Sequence, residues 1–101
     1  MIIYNVTIKL DNKIADAWLQ WMKEAHITDV INTGCFTKAT ILRLIDVDDT
    51  DGPTYAVQYQ AESKADYHRY IEKFAEAMRK KATDKWRDQF VAFRSLLEVV
   101  H

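Results

Sequence analysis

The spacing of apolar residues switches between two periods along this chain, and the order of the switches limits the fold more than any single motif. Tyr4, Val6, Ile8 and Leu10 fall at every second position, with Asn5, Thr7 and Lys9 between them. Period two is the mark of a strand with one buried face. From Ile14 the period lengthens: Ile14, Ala17, Trp18, Trp21, Met22 and Ala25 follow i, i+3, i+4, i+7, i+8, i+11, the stripe of an amphipathic helix. A short helical stretch from Ile27 to Asn32 follows, and Gly34 offers the left-handed residue that ends such a stretch. Phe36 to Ile45 is β-rich and apolar on both faces, Ala39, Ile41 and Ile45 on one and Leu42 and Leu44 on the other. The run Asp46-Val47-Asp48-Asp49-Thr50-Asp51-Gly52-Pro53 reads as a turn. Tyr55, Val57 and Tyr59 then alternate with Ala56, Gln58 and Gln60 as another strand.

The second half repeats the logic. Ser63, with Asp66 three residues on, has the spacing of a capping box. Tyr67, Tyr70, Ile71, Phe74, Ala75 and Met78 form the stripe of the helix it opens, and Arg79-Lys80-Lys81 suits the negative end of that helix's dipole. Lys85 to Asp88 reads as a connector and Phe90 to Val100 as the last strand, with Val91, Phe93, Leu97 and Val99 on its more apolar face. The reading is therefore strands near 2–10, 36–46, 54–61 and 89–100, and helices near 13–32 and 64–80. The order β-α-β-β-α-β predicts an α+β, ferredoxin-like fold, a four-stranded antiparallel sheet with two helices on one face. No linker or composition step divides the chain, so residues 1–101 read as a single domain. At 49% hydrophobic and 12% aromatic, the chain can fill one core without staples.

Charge and composition remove several function classes. Fourteen Lys+Arg against fifteen Asp+Glu leave a net charge of −1, without the basic excess that nucleic acid or an anionic membrane selects. No apolar run approaches the ~20 residues of a membrane span, and the opening Met1-Ile2-Ile3-Tyr4-Asn5-Val6 lacks the basic start of a signal peptide. Cys35 is the only cysteine, so no intramolecular disulfide forms, and a cytoplasmic location is expected. Gly34 and Gly52 stand alone, which excludes clustered-glycine phosphate loops and a nucleophile elbow at Ser63 or Ser95. The acidic turn fails as an EF-hand loop, because Val47 and Gln58 stand where carboxylates are needed. Cys35, His26, His68 and His101 lack zinc-site spacing, and His68 with Glu72 reads as an exposed polar pair, so no metal is expected.

What remains is aromatic. Trp18, Trp21, Tyr67, Tyr70 and Phe74 lie on the helix stripes, expected to face Tyr4, Tyr55, Tyr59 and Phe93 of the sheet. Such a cluster is either packed core or the wall of a helix–sheet pocket for a flat apolar ligand, with phenols as polar handles. The pocket reading takes Trp18, Trp21, Met22, His26, Tyr67 and Tyr70 as the binding set. His26 is the candidate base; at 100° per residue it falls on the helix shoulder beside Met22 and Leu19, where it could instead cap local carbonyls. The other sheet face, uncovered by helices, is expected to carry Asn5, Thr7, Leu42, Gln58, Phe90, Arg94 and Leu96, and its apolar members predict a homodimer, sheet against sheet.

Met1-Ile2-Ile3-Tyr4-Asn5-Val6-Thr7, the run Trp18-Leu19-Gln20-Trp21-Met22-Lys23-Glu24-Ala25-His26-Ile27, Tyr55-Ala56-Val57-Gln58-Tyr59 and Phe90-Val91-Ala92-Phe93-Arg94 carry a resemblance. Together they resemble an uncharacterised bacterial family, domain of unknown function 4286. The resemblance implies a dimeric α+β barrel and no particular reaction. Its distant fold relatives include cofactor-free monooxygenases, haem-degrading enzymes and isomerases, and fold alone transfers none of these. Haem-degrading members resemble one another in a first-strand Asn with a Trp and a His on the second helix. This chain has Asn5 and His68 but no Trp in that stretch, so no cofactor is expected. The functional expectation is a dimeric binder of a small aromatic ligand. The alternatives are a cofactor-independent enzyme with His26 or a tyrosine as base, and an oligomeric scaffold.

Overall fold

The computed structural model describes residues 1–101. Strand β1 (Ile2–Leu10) is followed by α1 (Ala15–Trp21), a π-helical turn (Met22–His26) and α2 (Ile27–Ile31). Then come β2 (Lys38–Arg43), β3 (Thr54–Ala61), α3 (Lys64–Lys73), α4 (Ala75–Trp86) and β4 (Phe90–Glu98). The strands form one antiparallel sheet in the order β2-β3-β1-β4. This is the α+β, ferredoxin-like arrangement that the alternation of periods predicts.

Local chemistry sets the element ends. The Ser63 hydroxyl accepts from the Asp66 N–H at 3.2 Å and caps α3. Gly34, at φ +79°, closes the stretch after α2. Gly52 lies so close to β1 that an added Cβ would collide with the Leu10 carbonyl, which pins the acidic turn to that strand's end. Inside the turn, Asp48 Oδ1 accepts from the Thr50 N–H and hydroxyl, and Arg43 pairs with Asp49 at 2.9 Å.

Three expectations need correction. The second strand covers Lys38–Arg43 rather than 36–46: Phe36 turns inward at 3% exposure, and Asp46 adopts φ 58°, which ends extension. The last helix does not stop at Arg79-Lys80-Lys81. After a bend at Phe74 (φ −127°) it runs to Trp86, held by the buried Trp86 and an i, i+4 pair of Lys80 and Asp84, so Lys85 is helical rather than part of a connector.

The third correction concerns β4. Its register pairs Tyr4 with Leu96, Val6 with Arg94, Ile8 with Ala92 and Leu10 with Phe90. Tyr4, Ile8 and Leu10 are buried beneath the helices, so Phe90, Ala92, Arg94 and Leu96 share the helix side. Val91, Phe93 and Leu97 therefore point away from the helices. Phe90, Arg94 and Leu96 thus do not share a face with Asn5, Thr7, Leu42 and Gln58, and Phe93 does not face the tyrosines. Alternation separates two faces but cannot say which faces inward; pairing with β1 decides that. On the open side Asn5 and Gln58 are direct cross-strand partners, and Gln58 Nε2 donates to Asn5 Oδ1 at 3.3 Å. The Asn5 amide also donates to Thr7 Oγ1 at 3.0 Å.

Candidate functional site

Beneath the helices the core is a set of touching rings. Tyr4 lies 6.0 Å from Phe36, 6.2 Å from Tyr59 and 5.8 Å from Tyr70, centroid to centroid, and Trp18 packs on Tyr55 at 5.4 Å. Packing loosens towards β4. There two of the lining residues are short, Ala92 on β4 and Ala82 on α4. The result is a cavity of about 60 Å³ between α4, the π-helical turn, β1 and β4. Its wall is mostly apolar, including Val6, Ile8, Val30, Val57, Met78 and Phe90. The exposed side chains in its lining, Arg79 and Arg94, mark the mouth.

The structure brings Trp18, Trp21, Met22, His26 and Tyr70 of the sequence-derived set to this cavity. Tyr67 stands apart, packing its ring on Tyr4 at 5.5 Å. His68, on the same helix, is exposed. Sequence reasoning missed Arg79 and misplaced Arg94. Both were readable as cations close to apolar stripes, but their convergence depends on the β4 register. No three His, Cys, Asp or Glu side chains converge as a metal cluster.

His26 reaches the cavity because of the π-helical turn. In an α-helix, residues five apart stand roughly 140° apart around the axis, whereas five residues make little more than one π turn. The Ile27 N–H bonds to the Met22 carbonyl, the i→i+5 spacing of that turn. Trp21 and His26 consequently stack at 4.5 Å with planes 21° apart. The shoulder position beside Met22 and Leu19, correct for α winding, is replaced by a place on Trp21. The edge of Trp86 closes on Trp21 from the other side at 5.8 Å.

Burial lowers the His26 pKa to about 4; Asp29 opposes the shift and Lys81 adds to it. Asp29 and Lys81 pair with each other at 3.3 Å across α2 and α4. At neutral pH the ring is an uncharged imidazole. Its Nδ1 is buried without a hydrogen-bond partner. Burial, reinforced by neighbouring phenols, pushes the Tyr59 and Tyr70 pKa values up, while Arg79 and Arg94 pull against the rise at Tyr70. Both phenols stay protonated and can donate. The Tyr4 hydroxyl accepts from Arg79 Nη2 at 3.1 Å. The site combines an aromatic wall, a neutral imidazole, protonated phenols and two guanidinium groups.

Comparison with known proteins fits this architecture. The model of a family described as "Domain of unknown function (DUF4286)" matches residues 1–100. None of the curated proteins matches in sequence. A dimeric ferredoxin-like protein from an uncultured marine organism is similar in structure at 12% identity and TM-score 0.69, covering 99% of this chain and 95% of that one. SnoaB, a cofactor-independent oxygenase from Streptomyces nogalater, is 15% identical with TM-score 0.70 over 99% of this chain and 94% of that one. A putative antibiotic biosynthesis monooxygenase from Nitrosomonas europaea is 12% identical with TM-score 0.68 over all of both chains. At these identities the likeness is one of fold.

Proposed function

We propose, on the premise that this chain belongs to the DUF4286 family of unknown function, that it is a homodimeric binder of a small aromatic molecule held between helices and sheet. The observation that carries the reading is the buried Nδ1 of His26, without a partner, on a residue that lines an aromatic cavity. Leaving a buried polar atom unpaired costs roughly 1–3 kcal/mol, which an occupant with a hydrogen-bonding group recovers. A scaffold has no use for such a site, and a filled interior would have suited it better. Size limits the ligand. About 60 Å³ is well below the ~150 Å³ of an apolar cavity that takes up benzene whole, so a ring enters only in part and the rest of the molecule stays at the mouth.

The homodimer part rests on the open sheet face. Phe93 is 65% and Val91 56% exposed there, with Leu97 on the same strand and Leu42 at the opposite edge of the same face. Exposed apolar patches of this kind mark interfaces, and the similar protein from an uncultured marine organism is described as dimeric.

A second reading is a cofactor-independent oxygenase, a description that SnoaB carries. His26 would then act as base on a bound phenol. An effective general base titrates near the operating pH. A group at about 4 falls some three pH units short of neutrality, roughly 4 kcal/mol of lost proton affinity. Binding is therefore the preferred reading.

The test uses saturation-transfer NMR with phenol as probe. Wild type is expected to transfer saturation to phenol, and Ala92→Phe, which fills the cavity, is expected to abolish the transfer with an unchanged circular dichroism spectrum. Phenol binding that survives Ala92→Phe would place the site elsewhere. Dioxygen uptake on adding phenol, lost in His26→Phe, would move the conclusion to the oxygenase.

A further inference from the structure

The arginines at the mouth bear on what kind of aromatic molecule fits. Arg79 comes from α4 and Arg94 from β4, and both line the cavity between those elements. Neither has a carboxylate partner. Of the five arginines, Arg43 and Arg69 each lie within 4.0 Å of an aspartate, whereas Arg79, Arg87 and Arg94 do not, and of these three only Arg79 and Arg94 line the cavity. The one hydrogen bond from Arg79 goes to a neutral phenol, Tyr4, and Arg94 makes none.

Two cations converging on one opening without a counter-charge repel each other. Arginine is also the side chain whose planar fork matches a carboxylate through two parallel hydrogen bonds. Behind the arginines the wall is made of rings and aliphatic groups, and the volume admits only part of one ring.

We infer that the ligand is a monocyclic aromatic acid, one edge of its ring entering the cavity on the side of Trp21 and its carboxylate held at the mouth by Arg79 and Arg94. This deepens the proposed function and rests on the cavity being the binding site. The uncharged state of His26 is consistent with it, because no third cation enters the apolar end.

Benzoate and benzamide separate charge from shape, being nearly isosteric. Isothermal titration of wild type is expected to give at least tenfold tighter binding for benzoate. In Arg94→Gln the two affinities are expected to converge to within about twofold, while Arg94→Lys keeps a preference for benzoate. Arg79→Gln is expected to act in the same direction, but it also removes the Tyr4 contact, so Arg94, exposed on an edge strand, is the decisive position. Equal affinities in wild type, or a benzoate preference untouched by Arg94→Gln, would overturn the acid while leaving the cavity as a neutral aromatic site. Binding of neither compound, with phenol also failing to bind, would overturn the cavity reading and this inference together.

Discussion

On the helix side of the sheet, Tyr4, Ile8, Val57 and Tyr59 are all less than a tenth exposed, whereas on the opposite side Val91 and Phe93 keep more than half of their surface in water. Strand β4 creates most of this difference. In β1 and β3 the apolar residues face the helices and the polar ones, Asn5, Thr7, Gln58 and Gln60, face away. In β4 both sides carry apolar residues. Its inward positions hold Phe90, Ala92, Arg94 and Leu96, and its outward positions hold Val91, Phe93, Ser95 and Leu97. An edge strand of this kind does two things at once. It leaves a cavity with a charged mouth under the helices, and it places an apolar patch where a second sheet can cover it. A strand that is apolar on both sides is therefore informative about function on both of its faces.

The largest effect is expected on the covered side. Trp18 is 2% exposed and packs on Tyr55, so Trp18→Ala removes a fully buried ring. Such truncations typically cost about 3–5 kcal/mol. Urea denaturation should show the midpoint falling with little change in slope. A loss below about 1 kcal/mol would mean that the helix–sheet layer is far looser than its ring contacts imply.

Next in size is the acid response of His26. Its folded pKa, about 4, lies below the ordinary imidazole value of 6.5. Between those values the unfolded chain binds the proton and the folded chain does not, so stability is full above about pH 6.5 and declines as pH falls towards 4. The decline attributable to His26 is at most about 3 kcal/mol. His26→Phe keeps a ring against Trp21 and removes the titration. The stability difference between pH 7 and pH 4.5, measured by denaturation, should be smaller in the variant than in wild type. Parallel acid limbs would show that the imidazole is charged in the folded protein, and that Asp29, paired with Lys81 nearby, sets the local field.

Much of the architecture was readable because hydrophobic period is set by the element itself: two along β1 and β3, 3.6 along α1 and α3. Three features were not, each for a physical reason. A π-helical turn of five residues is too short to display its own period, so His26 could only be placed by α winding. Arg79-Lys80-Lys81 resembles a helix end, yet Ala75, Met78, Ala82 and Trp86 continue the stripe at i, i+3, i+7 and i+11. For β4, alternation defined both faces correctly and pairing reversed their roles. In the candidate site, the residues on helix stripes were within reach: Trp18, Trp21, Met22 and Tyr70. Arg79 and Arg94 were not, because their meeting at one cavity depends on how α4 and β4 are placed in space.

The smallest expected effect tests the two faces of β4 directly. Phe93 and Leu96 are both exposed apolar residues of β4, at 65% and 40%, on opposite faces. If the open face pairs with a second copy, Phe93→Glu buries a carboxylate in an apolar interface with nothing to neutralise it, and isolated buried charges are strongly disfavoured. The dimer dissociation constant should rise at least tenfold, about 1.4 kcal/mol or more. Leu96→Glu puts the same charge on the helix side of the strand, outside the sheet–sheet contact, and should shift the constant by less than about threefold. Light scattering across a micromolar dilution series reads both variants against wild type. A dimer weakened equally by the two would mean that the whole edge strand, rather than one face of it, meets the partner. A dimer sensitive to Leu96→Glu alone would place the contact on the helix side and leave Phe93 exposed. Wild type monomeric throughout would leave the apolar outer face of β4 for a partner other than this chain.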